Sequence, residues 1–231
     1  MNIEKSISGE AEPKIKINVE HSVQTEIDRV NRTLAWLDWY KRNGYNISRI
    51  RLPHKISNIL LFDEPENRFT KDEVVSAIRD EYDDAEFEKQ KGLLLESWGN
   101  IEARFFGNLK KLGLPIQSDY QITLTKYGMG GSYYPPNRVS LSVGESFNEA
   151  NYVLAHEIIH LTIESLIQEY KIDQWTKETI VDLTMNNFFV ERQRIQRMGD
   201  NFEELKKIFD THFPNMAEII QIISKKITSH Q

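Results

Sequence analysis

The sequence contains no cysteine, so it can build no disulfide framework, thiolate zinc cage, iron-sulfur cluster or cysteine nucleophile. Any metal must be held by histidine and carboxylate. It also lacks a positive excess: 29 Lys and Arg stand against 35 Asp and Glu, a formal charge of -6. Such a chain has no general attraction for phosphate backbones or anionic membranes, so neither nucleic acid nor membrane is an expected partner. No segment approaches the roughly 18 apolar residues of a membrane span. Glu4, Glu10 and Glu12 interrupt the start, where a secretory peptide needs an apolar stretch. A soluble, cytoplasmic protein is expected. With 231 residues and 39% hydrophobic content, the chain can bury a core as one medium domain or two small ones. Histidine is scarce at six, and its placement is informative.

Along the chain, Val23, Ile27, Val30, Leu34, Leu37 and Tyr40 recur at helical steps before Gly44, which predicts an amphipathic helix with a glycine stop. Thr70 and Glu73 form a capping box opening a long helical pattern to Leu112, with Asp83 and Asp84 as its breaking point. At Tyr120 the period changes. Tyr120, Ile122 and Leu124, then Val139, Leu141 and Val143, alternate with polar residues, so two strands bracket the glycine-rich stretch 127–137, and a hairpin with a glycine-bearing edge is the simplest expectation. A second capping box, Ser146 to Glu149, opens a helix past Tyr170 that is apolar on most of its circumference and therefore central. A further helix is expected from Thr176 toward Met198, followed by two shorter ones around Phe213-Pro214.

On the central helix stands His156-Glu157-Ile158-Ile159-His160. Four residues are about 400° of rotation, so the two imidazoles lie one above the other, close enough to share a metal ion. Glu157 is about 100° further round, beside the metal but not aimed at it, where a general base belongs. Chance yields such a pentapeptide from this composition roughly 0.015 times per chain. Two imidazoles on an otherwise apolar helix would also be costly to bury without a partner. Catalytic zinc takes three protein ligands, so a third is needed. Glu164 lies two turns from His156 on the same helix, and three successive turns cannot converge on a point. Glu178 and Asp182 share a face of the next helix, which an antiparallel return would present to the histidines. Glu178 is the expected third ligand. Asp182, one turn deeper, would accept a hydrogen bond from the free ring nitrogen of His156.

His156-Glu157-xx-His160, followed after 17 residues by Glu178-xxx-Asp182, resembles the gluzincin clan of zinc metallopeptidases. The likeness covers about 50 residues, from Val139 to about Phe189, and the spacing to the glutamate is shorter than in the best-known members, as in a divergent, compact relative. It implies an α+β fold in which a zincin-like core, a small mixed sheet with an edge strand over two active-site helices, carries a mostly helical N-terminal region. The chain then divides into a polar N-terminal tail (1–20), a helical region (21–115) and the core with C-terminal helices (119–231). The family chemistry implies one Zn2+ per chain on His156, His160 and Glu178, with water activated by Glu157 to attack a peptide bond. An edge strand around Gly130, Gly131 and Tyr133 could align an extended peptide or protein substrate through main-chain hydrogen bonds, the glycines (Gly128 included) allowing close approach. For the oxyanion stabiliser, Tyr127, Tyr133, Tyr134, Arg192 and His212 stand open, and no spacing selects among them. Two other functions fit the same residues: a zinc-bearing regulatory or partner-binding protein with an occluded core, and a non-peptide amide hydrolase.

Overall fold

A computed structural model describes residues 14–61, 70–143, 149–196 and 201–229. The fold is α+β, a small mixed sheet among helices. Strands β1 (Lys16–Glu20), β2 (Asp119–Thr125), β3 (Gly131–Tyr134) and β4 (Arg138–Ser142) lie in the order β1-β2-β4-β3. Alternation in β2 and β4 buries Ile122, Leu124, Val139 and Leu141, as the period-two pattern requires.

The expected hairpin between β2 and β4 is corrected. β2 and β4 are parallel, and β3 pairs antiparallel with β4 as the outer edge. Parallel neighbours need a crossover, and the glycine-rich stretch supplies it. Gly128 and Gly130, at φ 85° and 56°, turn the chain outward into β3, and β4 then returns between β3 and β2. The glycine-bearing edge remains, one strand further out than expected. β1 adds parallel to β2 from within the stretch expected to be a polar tail. Its side chains alternate between half-buried and exposed, too weak a signal to stand out beside the charged residues around it.

Helix α1 (Val23–Ala35) starts at a capping box of Ser22 and Thr25 and gives way at Trp36 to α2 (Leu37–Arg42). Thr70 and Glu73 cap α3 (Lys71–Glu81), and the long pattern breaks at Asp83, which caps α4 (Asp84–Gly99) ahead of α5 (Glu102–Lys111). α6 (Ala150–Glu169) is central, packed on β3, β4, α4, α7 and α9, with Leu154, Ala155, Ile158, Ile159 and Ile163 sealed from water. Of its expected capping box, Ser146 lies outside the described residues, and Glu149 makes no side-chain cap. α7 (Gln174–Phe188), α8 (Phe202–His212) and α9 (Met216–Ser229) complete the described helices. Among the described residues no helix is long and apolar enough to cross a membrane.

Apolar packing divides the chain elsewhere than the helix-rich to mixed transition near residue 115. The larger cluster joins α4 and α5 to the sheet and to α6 through α9, burying Phe87, Leu94, Phe105 and Leu109. A smaller one gathers Val30, Leu37, Ile50, Ile56, Ile78 and Tyr127 around α1 and α3. α1 crosses to the sheet through Glu26, whose carboxylate accepts from the Lys126 amide at 2.9 Å and the Thr125 hydroxyl at 3.1 Å.

Candidate metal centre

The turn after α6 reverses the chain at Lys171, which holds φ 51°, and the Asp173 side chain starts α7 by accepting from the amides of Trp175 and Thr176. The return brings the first turns of α7 to the middle of α6. His156 Nε2 and His160 Nε2 lie 3.0 Å apart, and Glu178 Oε2 stands 3.3 Å from the first and 3.4 Å from the second. Bonds of about 2.0–2.2 Å at tetrahedral angles separate neighbouring donor atoms by about 3.3–3.6 Å. The two distances to Glu178 fall in that range and the one between the imidazoles is slightly shorter, so the three atoms are spaced close to one face of a tetrahedron, and among the described residues this trio is the one group of its kind that could hold a metal ion.

Protonation suits ligation at His160 and Glu178. Burial pushes His160 down to about 4, which keeps it neutral with a lone pair free. For Glu178, desolvation acts upward, but His160 and His156 outweigh it and hold the carboxyl well below the ordinary range. His156 is also pressed down by burial, but the Glu178, Glu157 and Asp182 carboxylates outweigh that and leave it raised.

Glu157 is 7% exposed and burial lifts its carboxyl to about 7, with His156 acting in the opposite direction. It packs against the edge strand so closely that a Cβ on Gly131 would come within 2.3 Å of Oε1. This is the reason for a glycine there. Ser142 N donates to Gly130 O, so antiparallel alternation turns the main-chain groups of Gly131 and Tyr133 toward the open edge. Tyr133 lays its ring parallel to His160, with centroids 4.7 Å apart. Its hydroxyl donates to Glu164 Oε2 at 2.7 Å and accepts from Lys177 Nζ at 2.8 Å, so Glu164 is engaged away from the centre.

Asp182 stands where expected but does not complete the expected bond. Its Oδ1 is 3.7 Å from His156 Nδ1, an ion-pair distance and too long for a hydrogen bond. Its other oxygen accepts from the Gln196 amide at 2.6 Å. His160 Nδ1 is buried with no hydrogen-bond partner among the described residues. Of the oxyanion candidates, Tyr133, Tyr134 and Arg192 line the cleft beside the centre. Tyr127 instead donates to Glu81, and His212 pairs with Glu218.

Three features escaped the sequence. α7 was expected to run toward Met198, but it ends at Phe188; Phe189 turns inward against Phe105 and Tyr152, and residues 190–196 return as irregular chain. Gln196 thereby reaches the centre, its side-chain nitrogen 3.2 Å from His156 Nε2 and 3.3 Å from Glu178 Oε2. Gln174 donates to Glu178 Oε1 at 2.6 Å and to the Tyr45 hydroxyl at 2.8 Å, linking the centre to the chain after α2. Finally, Arg29 of α1 is 5% exposed and reaches behind β3 to Tyr127 O, Ser132 Oγ and Tyr134 Oη. Only Gln174 had a local signal, one turn ahead of Glu178 on the same face.

The centre opens into a cleft of about 1310 Å³, larger than the roughly 300–1,000 Å³ of small-molecule pockets. One wall is α6, β3 and α7. The other comes from α1, α2 and residues 44–51, where Trp39, Tyr40 and Tyr45 form a run of ring contacts that reaches Trp175 of α7. Comparison with protein-family models, curated proteins and solved structures finds no match to the chain.

Proposed function

We propose that the chain is a zinc-dependent metallopeptidase of gluzincin type, with a zincin-like core formed by the sheet, α6 and α7. The observation that carries the proposal is the convergence of His156, His160 and Glu178 to tetrahedral spacing, with Glu157 buried beside them and facing an open strand edge. A zinc ion bound there supplies Lewis acidity, which acidifies water and polarises an acyl oxygen. The rest is done by the chain. Glu157, lifted to about 7, takes a proton from the attacking water and returns it to the leaving amine. Gly131 gives that carboxylate room and, with Tyr133, offers main-chain groups to an extended peptide. Tyr133 and Lys177 fix the His160 ring from its open face.

The test is hydrolysis of a broad peptide library by metal-loaded protein. Wild type should cleave; Glu157→Gln should keep one metal per chain and lose cleavage. Fully loaded wild type that cleaves nothing contradicts the proposal. One observation favours a latent form, because the Gln196 side chain lies across the open side of the centre. In that case Gln196→Ala raises cleavage at least tenfold at unchanged metal content.

A further inference from the structure

The chain carries a formal charge of -6, but the cleft is charged the other way. Among the described residues its walls hold seven cationic side chains and four carboxylates. Three of those carboxylates, Glu157, Glu178 and Asp182, belong to the centre, and the fourth, Glu164, is bonded to Tyr133 and Gln168. The cations are less committed. Lys177 donates to a neutral hydroxyl, and only Arg192 has an acidic partner, Glu149. Arg32, Arg49, Arg51 and Arg194 are exposed and have no carboxylate partner among the described residues. Arg29 is more telling. It is buried, its three hydrogen bonds go to neutral oxygens, and its Nη2 has no hydrogen-bond partner among the described residues. A buried guanidinium is ordinarily paired directly with an acid; here no carboxylate hydrogen-bonds to it, and its charge is felt at longer range by Glu26 and by Glu157 in the cleft.

Two of these charges stand at one end of the open strand edge. Arg29 and Arg32 stand one turn apart on α1, and both meet Tyr134 at the end of β3: Arg29 Nη1 donates to its hydroxyl at 3.1 Å, and the Arg32 guanidinium covers its ring at 4.2 Å. A chain laid against Gly131 and Tyr133 runs at that end into the two arginines. Resting on the peptidase proposal for the same cleft, we infer that its substrate is an acidic peptide, with Asp or Glu side chains flanking the bond that meets the centre. An excess of cation in a low-dielectric cleft focuses the field on such a ligand, while the net negative charge of the whole chain repels long polyanions.

The test reads binding in the metal-loaded Glu157→Gln protein, so it does not depend on turnover. Two fluorescein-labelled dodecapeptides that differ only in carrying four Glu or four Gln are titrated by anisotropy, alongside a labelled twelve-nucleotide oligothymidylate. At about 50 mM salt the Glu peptide should bind at least tenfold tighter than its Gln counterpart and tighter than the oligonucleotide. At about 500 mM salt the advantage should fall below threefold, because screening shortens to a few ångströms. The double reversal Arg32→Glu, Arg49→Glu, at exposed positions and with circular dichroism unchanged, should abolish the preference. Equal affinity for the two peptides, tighter binding of the oligonucleotide, or a preference untouched by the double reversal overturns the inference. If the Glu peptide binds as expected but metal-loaded wild type leaves it intact, the peptidase proposal fails and the charge recognition stands. If wild type cleaves both peptides and binding does not distinguish them, the outcome is the reverse.

Discussion

The two walls of the cleft are built on different principles. On the α6 and α7 side a few polar groups stand at short, fixed distances: the His156 and His160 imidazoles and the Glu178 and Glu157 carboxyls, each set by helical spacing and one chain reversal. On the α1 and α2 side aromatic rings pack on one another, the arginines bond or stack with neutral groups and not with carboxylates, and Trp36 is 50% exposed. The first wall has the order that bond-making chemistry demands, where an error of about 1 Å is costly. The second has the large amphipathic surfaces that serve binding. The contrast teaches that substitutions on the first should act on turnover and on the second on affinity.

The largest effect is expected from Glu157→Gln, at least a thousandfold loss of kcat with one metal per chain retained, read by steady-state hydrolysis and elemental analysis. Comparable loss of metal would show that Glu157 is itself a ligand and break the proposed division of roles on that wall. Next comes Gly131→Ala, at the seam between strand and helix. The added methyl meets Glu157 Oε1, so the carboxylate must shift. A tenfold to hundredfold loss of kcat is expected, with stability lowered by only about 1–3 kcal/mol, the usual cost of overpacking. Trp39→Ala on the opposite wall should raise KM about fivefold and leave kcat within a factor of two; a change in kcat alone would erase the contrast.

How far each wall could be read from the sequence follows the same division. His156, Glu157 and His160 are set by spacing within one helix, and Glu178 needed only the reversal that follows it. Arg29 and Gln196 could not be found this way. Arg29 reaches its partners across about 100 residues of chain, and Gln196 arrives because burial of Phe189 ends α7 early, a tertiary effect that overrides helical periodicity. In the sheet, β2 and β4 were legible as strands from alternation. Their parallel pairing was not, since alternation carries no direction, and the four-residue β3 and the half-exposed β1 gave little signal of their own.

A smaller effect concerns how α1 is fastened to the sheet. Burial lifts Glu26 to about 7, against hydrogen bonds from Lys126 and Thr125 and the nearby Lys126 and Arg29 charges. A carboxyl raised on folding contributes stability that is complete below its unfolded value near 4.5 and is lost as pH climbs through about 7. Glu26→Gln should therefore gain on wild type as pH increases from 4.5 to 8, by up to about 2–3 kcal/mol, read as a widening difference in Tm. A difference independent of pH would mean that Glu26 enters the fold ionised.

The central claim, that α6 and α7 together hold one metal ion, is tested most directly by anomalous scattering at the zinc edge from crystals of protein loaded with one equivalent of Zn2+. The account predicts a single peak about 2.0–2.2 Å from His156 Nε2, His160 Nε2 and a Glu178 oxygen, absent from His160→Ala crystals grown alike. No peak at these atoms in the loaded wild type, or a peak that survives His160→Ala, would contradict it.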